Sequence, residues 1–266
     1  MTRFLIVGMG AAALVGGSAW AQTPAGGEIF RQPPPVSGPA PHLADGAPDL
    51  SGVWMGGGSN SGDITKGLKE GDSVVMLPSA EKIYKERKAA DDPEANCLPF
   101  GIPRSAPYPW RILQTKTHYF ILYEGNIHSY RQIFMDGRPH PADLDPTWYG
   151  HSIGHWEGET LVVDTVGFND RFWFDYLGHP HTEKLHTIER YTRTDLGNIR
   201  IEVTIDDPGA YAKAFTTVGR ARLMPGDELM EYICNENDQD FGHYSGPPHL
   251  PTDGIVRERP TGPARR

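Results

Sequence analysis

The stretch NIRIEVTID, residues 198–206, constrains the chain more than any other, because Ile199, Ile201, Val203 and Ile205 alternate strictly with Arg200, Glu202, Thr204 and Asp206. A period of two puts the four aliphatic side chains on one face of a half-buried β-strand. The run LHTIERYTR precedes it across Thr194-Asp195-Leu196-Gly197, and a short glycine-containing link between two extended runs predicts a hairpin. The same grammar recurs in FILYEGNIHSYRQIF, turning at Glu124-Gly125-Asn126, in IGHWEGETLVVDT, turning at Glu157-Gly158-Glu159, and in TTVGRARLMPGDELMEYIC, turning at Pro225-Gly226-Asp227. Successive hairpins of this kind predict a meander.

SGVWMG near the front and WRILQTKT at 110–117 add strands, while PSAEKIYKERKAADD supplies one helix. Strands spaced by glycine turns without intervening helices predict an all-β fold, an antiparallel meander closing into a lipocalin-like barrel or a sandwich with one short helix. In LHTIERYTR one face carries Leu185, Thr187, Glu189 and Tyr191, and the other His186, Ile188, Arg190 and Thr192. Polar side chains inside a barrel predict a ligand cavity, whereas the same pattern on an edge strand means two wet faces.

The ends of the chain read differently. MTRFLIVGMGAAALVGGSAWAQ joins one early arginine, an apolar run and Ala19-Trp20-Ala21, which predicts a signal peptide over residues 1–21 and a periplasmic or secreted protein. Residues 22–48 are so rich in proline, glycine and alanine that they predict a flexible leader, residues 49–245 a single barrel-like domain, and residues 246–266 an irregular tail. The formal net charge is −9, and loss of residues 1–21 removes only Arg3 and leaves −10, which gives no footprint for nucleic acid or an anionic membrane. No membrane insertion is expected once the signal is cleaved. Cys97 and Cys234 are the only cysteines, and an oxidising compartment predicts a disulfide between them.

Gly150-His151-Ser152-Ile153-Gly154 matches the G-x-S-x-G pattern of a hydrolase nucleophile elbow. An elbow needs a buried strand before the serine and a helix after it, but here a proline-rich loop precedes and a hairpin follows, so Ser152 is not expected to be a nucleophile. His151 and His155 would span about 13 Å on a strand, too far to share one zinc at about 2 Å each. In extended geometry His151, Ile153 and His155 share one face, and Ser152, Gly154 and Trp156 the other.

Two other stretches concentrate reactive side chains. FNDRFWFDYLGHPHTEKLHTIER holds His179, His181, His186 and Glu189 together with Trp173, and MDGRPHPADLDPTWYGH holds Asp136, Arg138, His140, Trp148, Tyr149 and His151. A histidine beside a carboxylate can be tuned for proton transfer, which makes His151, His186 and Glu189, with Asp136 and His181, the candidate acid/base set. Arg131, Trp148, Tyr149, Trp156 and Trp173 are candidates for holding a sugar-like or aromatic ring. His179, His181 and His186 offer a metal-dependent alternative.

The run GHSIGHWEGETLVVDTVGFND, with PDLSGVW at 48–54, MDGRPHP at 135–141 and HPHTEKLHTIER at 179–190, resembles a broad family of exported bacterial proteins. The resemblance implies a β-rich, barrel-like domain and export; it supplies no activity.

The resulting expectation is an exported enzyme that holds a small cyclic molecule in a barrel and performs lyase, isomerase or hydrolase chemistry without a cofactor. A noncatalytic binding barrel is the alternative. No phosphate-cradling glycine loop or dinucleotide fingerprint is present, which disfavours nucleotide chemistry.

Overall fold

Alternation in the sequence becomes alternation of burial in residues 118–123, 186–193 and 198–206. Among the residues that the computed structural model describes, 35–58, 62–104, 108–234 and 236, nine strands form one closed sheet. They are β1 (Gly52–Gly56), β2 (Trp110–Gln114), β3 (His118–Tyr123), β4 (Tyr130–Phe134), β5 (His151–Glu157), β6 (Thr160–Val166), β7 (His186–Asp195), β8 (Asn198–Asp206) and β9 (Phe215–Leu223). In β8 the aliphatic row from Ile199 to Ile205 is buried, and each such side chain contributes about 1.5–3 kcal/mol on full burial. β3 turns Tyr119, Ile121 and Tyr123 inward, and β7 does the same with Thr187, Glu189, Tyr191 and Arg193. The predicted signal peptide, residues 22–34 of the leader and the predicted C-terminal tail lie outside the described residues.

The strands follow one another around the barrel in chain order, and β9 closes it against β1 through Trp54↔Leu223, Met55↔Arg222 and Gly56↔Ala221. Closure leaves no sheet edge among these strands. The meander is not purely antiparallel: β4 and β5 run parallel through Ile133↔Ser152 and Phe134↔Ile153. Their connection is no tight turn but the loop 135–150, long enough to return the chain to the end at which β4 began.

The fourth predicted hairpin does not form. After Pro225-Gly226 the chain runs without strand structure toward Cys234, because the free side of β9 is already paired to β1. That segment is tied down instead, by Met230 N–H donating to Glu124 Oε2 at 2.9 Å and by the Cys97–Cys234 disulfide. The expected helix spans Pro78–Glu86 as α1, with proline in its first turn, and a second, one-turn helix, α2 (Gly125–His128), makes the link from β3 to β4. Residues 35–48 run along the barrel, where Leu196 N–H donates to the Gly38 carbonyl at 2.9 Å and His42 meets Glu159 at 2.8 Å.

Two glycines are dictated by space. A Cβ on Gly219 would stand 2.3 Å from the Gly57 carbonyl oxygen, so β9 can approach the end of β1 only without a side chain there. A Cβ on Gly154 would lie 2.6 Å from Met135 Sδ and 2.9 Å from Ile133 Cγ2. The second glycine of the G-x-S-x-G run therefore serves packing between β4 and β5.

Candidate functional site

The inside of the barrel carries a buried charge pair. Arg131 enters from β4 and Glu189 from β7, 2% and 1% exposed, and Arg131 Nη1 donates to Glu189 Oε2. The rest of the guanidinium is used as well: Nε donates to Ser152 Oγ at 3.0 Å and Nη2 to Thr165 Oγ1 at 2.7 Å, and those two hydroxyls bond each other at 3.0 Å. Burial alone would weaken the Arg131 charge, but the Glu189 carboxylate outweighs it and the guanidinium holds its proton more tightly than usual. Burial first, and then the Glu189 charge, push the Tyr191 phenol well above its ordinary range, so it stays neutral.

Glu189 also borders a narrow cleft that is open to solvent. Trp110, Ile121, Ile201 and Val203 form apolar walls, Tyr123 and Tyr191 join Glu189 in the lining, and Gly56–Gly58 with Ile102 and Pro103 complete it. The segment carrying Ile102 and Pro103 is anchored at both ends. The Cys97 disulfide holds one, and Arg104 holds the other through Asp92, at 2.9 and 2.7 Å, and Glu94, at 2.7 Å. The hydrogen bond of Glu189 among the described residues goes to Oε2, which leaves Oε1 as an acceptor on a residue that lines the cavity.

The expected acid/base set is not assembled. Glu189 faces inward while His186, three residues earlier, faces outward with His151, so the barrel wall separates the histidines from the carboxylate. On the outer wall His186 Nε2 meets Asp164 Oδ1 at 2.8 Å, His140 Nε2 meets the same oxygen at 3.2 Å, and His140 Nδ1 lies 2.8 Å from His151 Nδ1. Burial, then His140 and Arg138, lower the His151 pKa. Asp136 sits in the turn before this cluster, gripped by Arg138, whose hydrogen bonds hold its carboxyl down at about 2.

His181 belongs to neither group. It is buried between Phe172 and Phe174, with ring centroids at 3.8 and 5.1 Å, and Nε2 has no partner among the described residues. His179 is paired to Asp175 at 2.6 Å and stacked on Tyr84, and His186 lies on the outer wall, so the three do not converge as ligands. Among the described residues no three His, Cys, Asp or Glu side chains are grouped to hold a metal.

The predicted ring-binding aromatics mostly pack. Trp173 is buried under Arg87, Trp156 sits edge-on to Tyr119 with Nε1 donating to its hydroxyl at 3.2 Å, and Trp148 rests against the core. Tyr149 stacks on Tyr123 at 5.5 Å and bonds Ser129, so it supports the cavity wall from behind. The wall itself uses Trp110, Tyr123 and Tyr191. Of these Tyr191 was readable, two residues from Glu189 on the same face, while Trp110 carried no signal beyond its place in a strand. Ser152 is committed to Arg131 and Thr165, in keeping with a structural role. Comparison with protein-family models, with curated proteins and with solved structures returned no match.

Proposed function

We propose that this chain is an exported, lipocalin-like barrel that binds a small cyclic organic molecule in its interior. The observation that carries the reading is the solvent-open cavity lined by apolar side chains together with Glu189, Tyr123 and Tyr191, the carboxylate keeping one oxygen clear of its pair with Arg131. Sites for small molecules combine these features: apolar surface supplies affinity and a few placed polar groups fix orientation. The Cys97–Cys234 disulfide supports an oxidising compartment, and with it export.

Binding is favoured over the acid/base enzyme because His151, His186, His181 and Asp136 all lie off the cavity. Proton transfer inside the barrel would fall to Glu189 and Tyr191 alone, and the ion pair to Arg131 suits Glu189 to accept hydrogen bonds rather than to shuttle protons.

A thermal-shift screen of small cyclic compounds tests the reading. A ligand at a hundred times its Kd should stabilise the protein by about 2.7 kcal/mol. The Ile201→Phe variant, whose ring would fill the cavity, should remain folded and lose the shift. Hits that stabilise both proteins equally would place binding elsewhere and refute the proposal.

A further inference from the structure

We propose that the cavity selects neutral molecules carrying a hydroxyl or N–H donor and rejects organic anions; this rests on the binding reading above and names its ligand class. Charge around Glu189 decides the ligand class. Among the described residues the cation bonded to Glu189 is Arg131, and all three of its nitrogens are engaged, by Ser152, Glu189 and Thr165, while Arg193, the next inward cation on β7, is turned to the Asp49 and Leu196 carbonyls. Arg131 does not line the cavity; Glu189 does. A ligand therefore meets a carboxylate oxygen first, with its counter-charge behind it.

Each class of ligand fares differently against that arrangement. A carboxylate or phosphate would bring a second negative charge against Glu189, and no cation is among the described residues that line the cavity. An ammonium ion would lose its hydration to meet a carboxylate already neutralised by Arg131, with the guanidinium's own charge close by. A neutral ring bearing a hydroxyl or N–H loses less on desolvation than an ion and can donate to Glu189 Oε1, the oxygen not bonded to Arg131. The Tyr191 phenol, kept protonated by burial and by Glu189, adds a hydroxyl that can both donate and accept. Trp110, Ile121, Ile201 and Val203 take the ring.

The test compares four probes of similar size, 4-methylphenol, 4-methylbenzoate, benzylamine and toluene, by isothermal titration calorimetry against the full mature chain. The expected order places 4-methylphenol first, at least about tenfold tighter than each of the others, since one hydrogen bond to a charged acceptor is worth about that factor. Glu189→Gln removes the negative charge and leaves Arg131 as an unbalanced cation, so 4-methylbenzoate should become the preferred probe. Should that variant fail to fold, Tyr191→Phe keeps the ion pair and should weaken 4-methylphenol several-fold while still excluding 4-methylbenzoate. Wild-type protein that binds 4-methylbenzoate as well as 4-methylphenol would overturn the inference but leave the binding barrel standing, provided Ile201→Phe abolishes both. If none of the four binds in a manner that Ile201→Phe removes, the binding reading itself fails and the inference falls with it.

Discussion

Acidification should destabilise the fold through His181 before the carboxylates contribute. Its ring is buried between Phe172 and Phe174, Nδ1 lies 3.4 Å from the Thr182 carbonyl, and the like-signed charge of Arg87 also disfavours protonation. Burial is the largest cause of a pKa lowered to about 3, against an ordinary imidazole near 6.5. Because the folded value is the lower one, the unfolded chain binds more protons between the two. Stability is therefore complete above about pH 6.5 and is lost as the pH falls through that window. One such group removes about 2 kcal/mol between pH 7 and pH 5 by linkage. The assay is urea unfolding at half-unit steps from pH 7 to pH 5, above the range in which carboxylates protonate. The His181→Leu variant, of similar volume, should show a flatter profile, and the remaining slope belongs in part to His151, whose pKa is also lowered. If His181→Leu loses stability on acidification as steeply as the wild type, a buried neutral His181 is not what the acid attacks.

Other consequences can be measured directly. Glu189→Gln or Arg131→Met alone should destabilise by about 3–5 kcal/mol, because each strands a buried charge, and chemical denaturation reads the loss. The double Cys97→Ala/Cys234→Ala variant opens a cross-link between residues 137 apart, which costs at most about 5 kcal/mol in the chain-entropy description, and hydrogen exchange should rise first in residues 224–234. His186→Ala and His140→Ala act on the partly exposed outer wall, so they should change stability by less than about 1 kcal/mol and leave the affinity of any cavity ligand unchanged in calorimetry.

Much of the barrel was legible because alternation is a local property. β7 and β8 could be placed almost residue by residue, and the two faces of LHTIERYTR emerged correctly as sets. Those same sets already put His186 and Glu189 on opposite faces, so parity alone separates them. Which set faces inward could not be read, since Leu185, Thr187, Glu189 and Tyr191 look no more apolar than their neighbours; closure of the sheet decides it. The cavity was illegible for a different reason. Its walls come from residues 56–58, 102, 103, 110, 121, 123, 189, 191, 201 and 203, which only the strand order brings together. The parallel β4–β5 pair and the unstranded run after Gly226 likewise depend on which edges are free, a global property that no turn signal encodes.

The β1–β9 seam bears on how the chain is made. Trp54 precedes its partner Leu223 by most of the barrel's sequence, so any chain that stops short of β9 lacks the strand that closes the sheet. Contacts this distant in sequence form slowly, and exposed edges invite pairing between molecules. Vectorial synthesis thus delivers the last stave of the barrel at the end, and chains ending before β9 should aggregate rather than persist as smaller soluble domains.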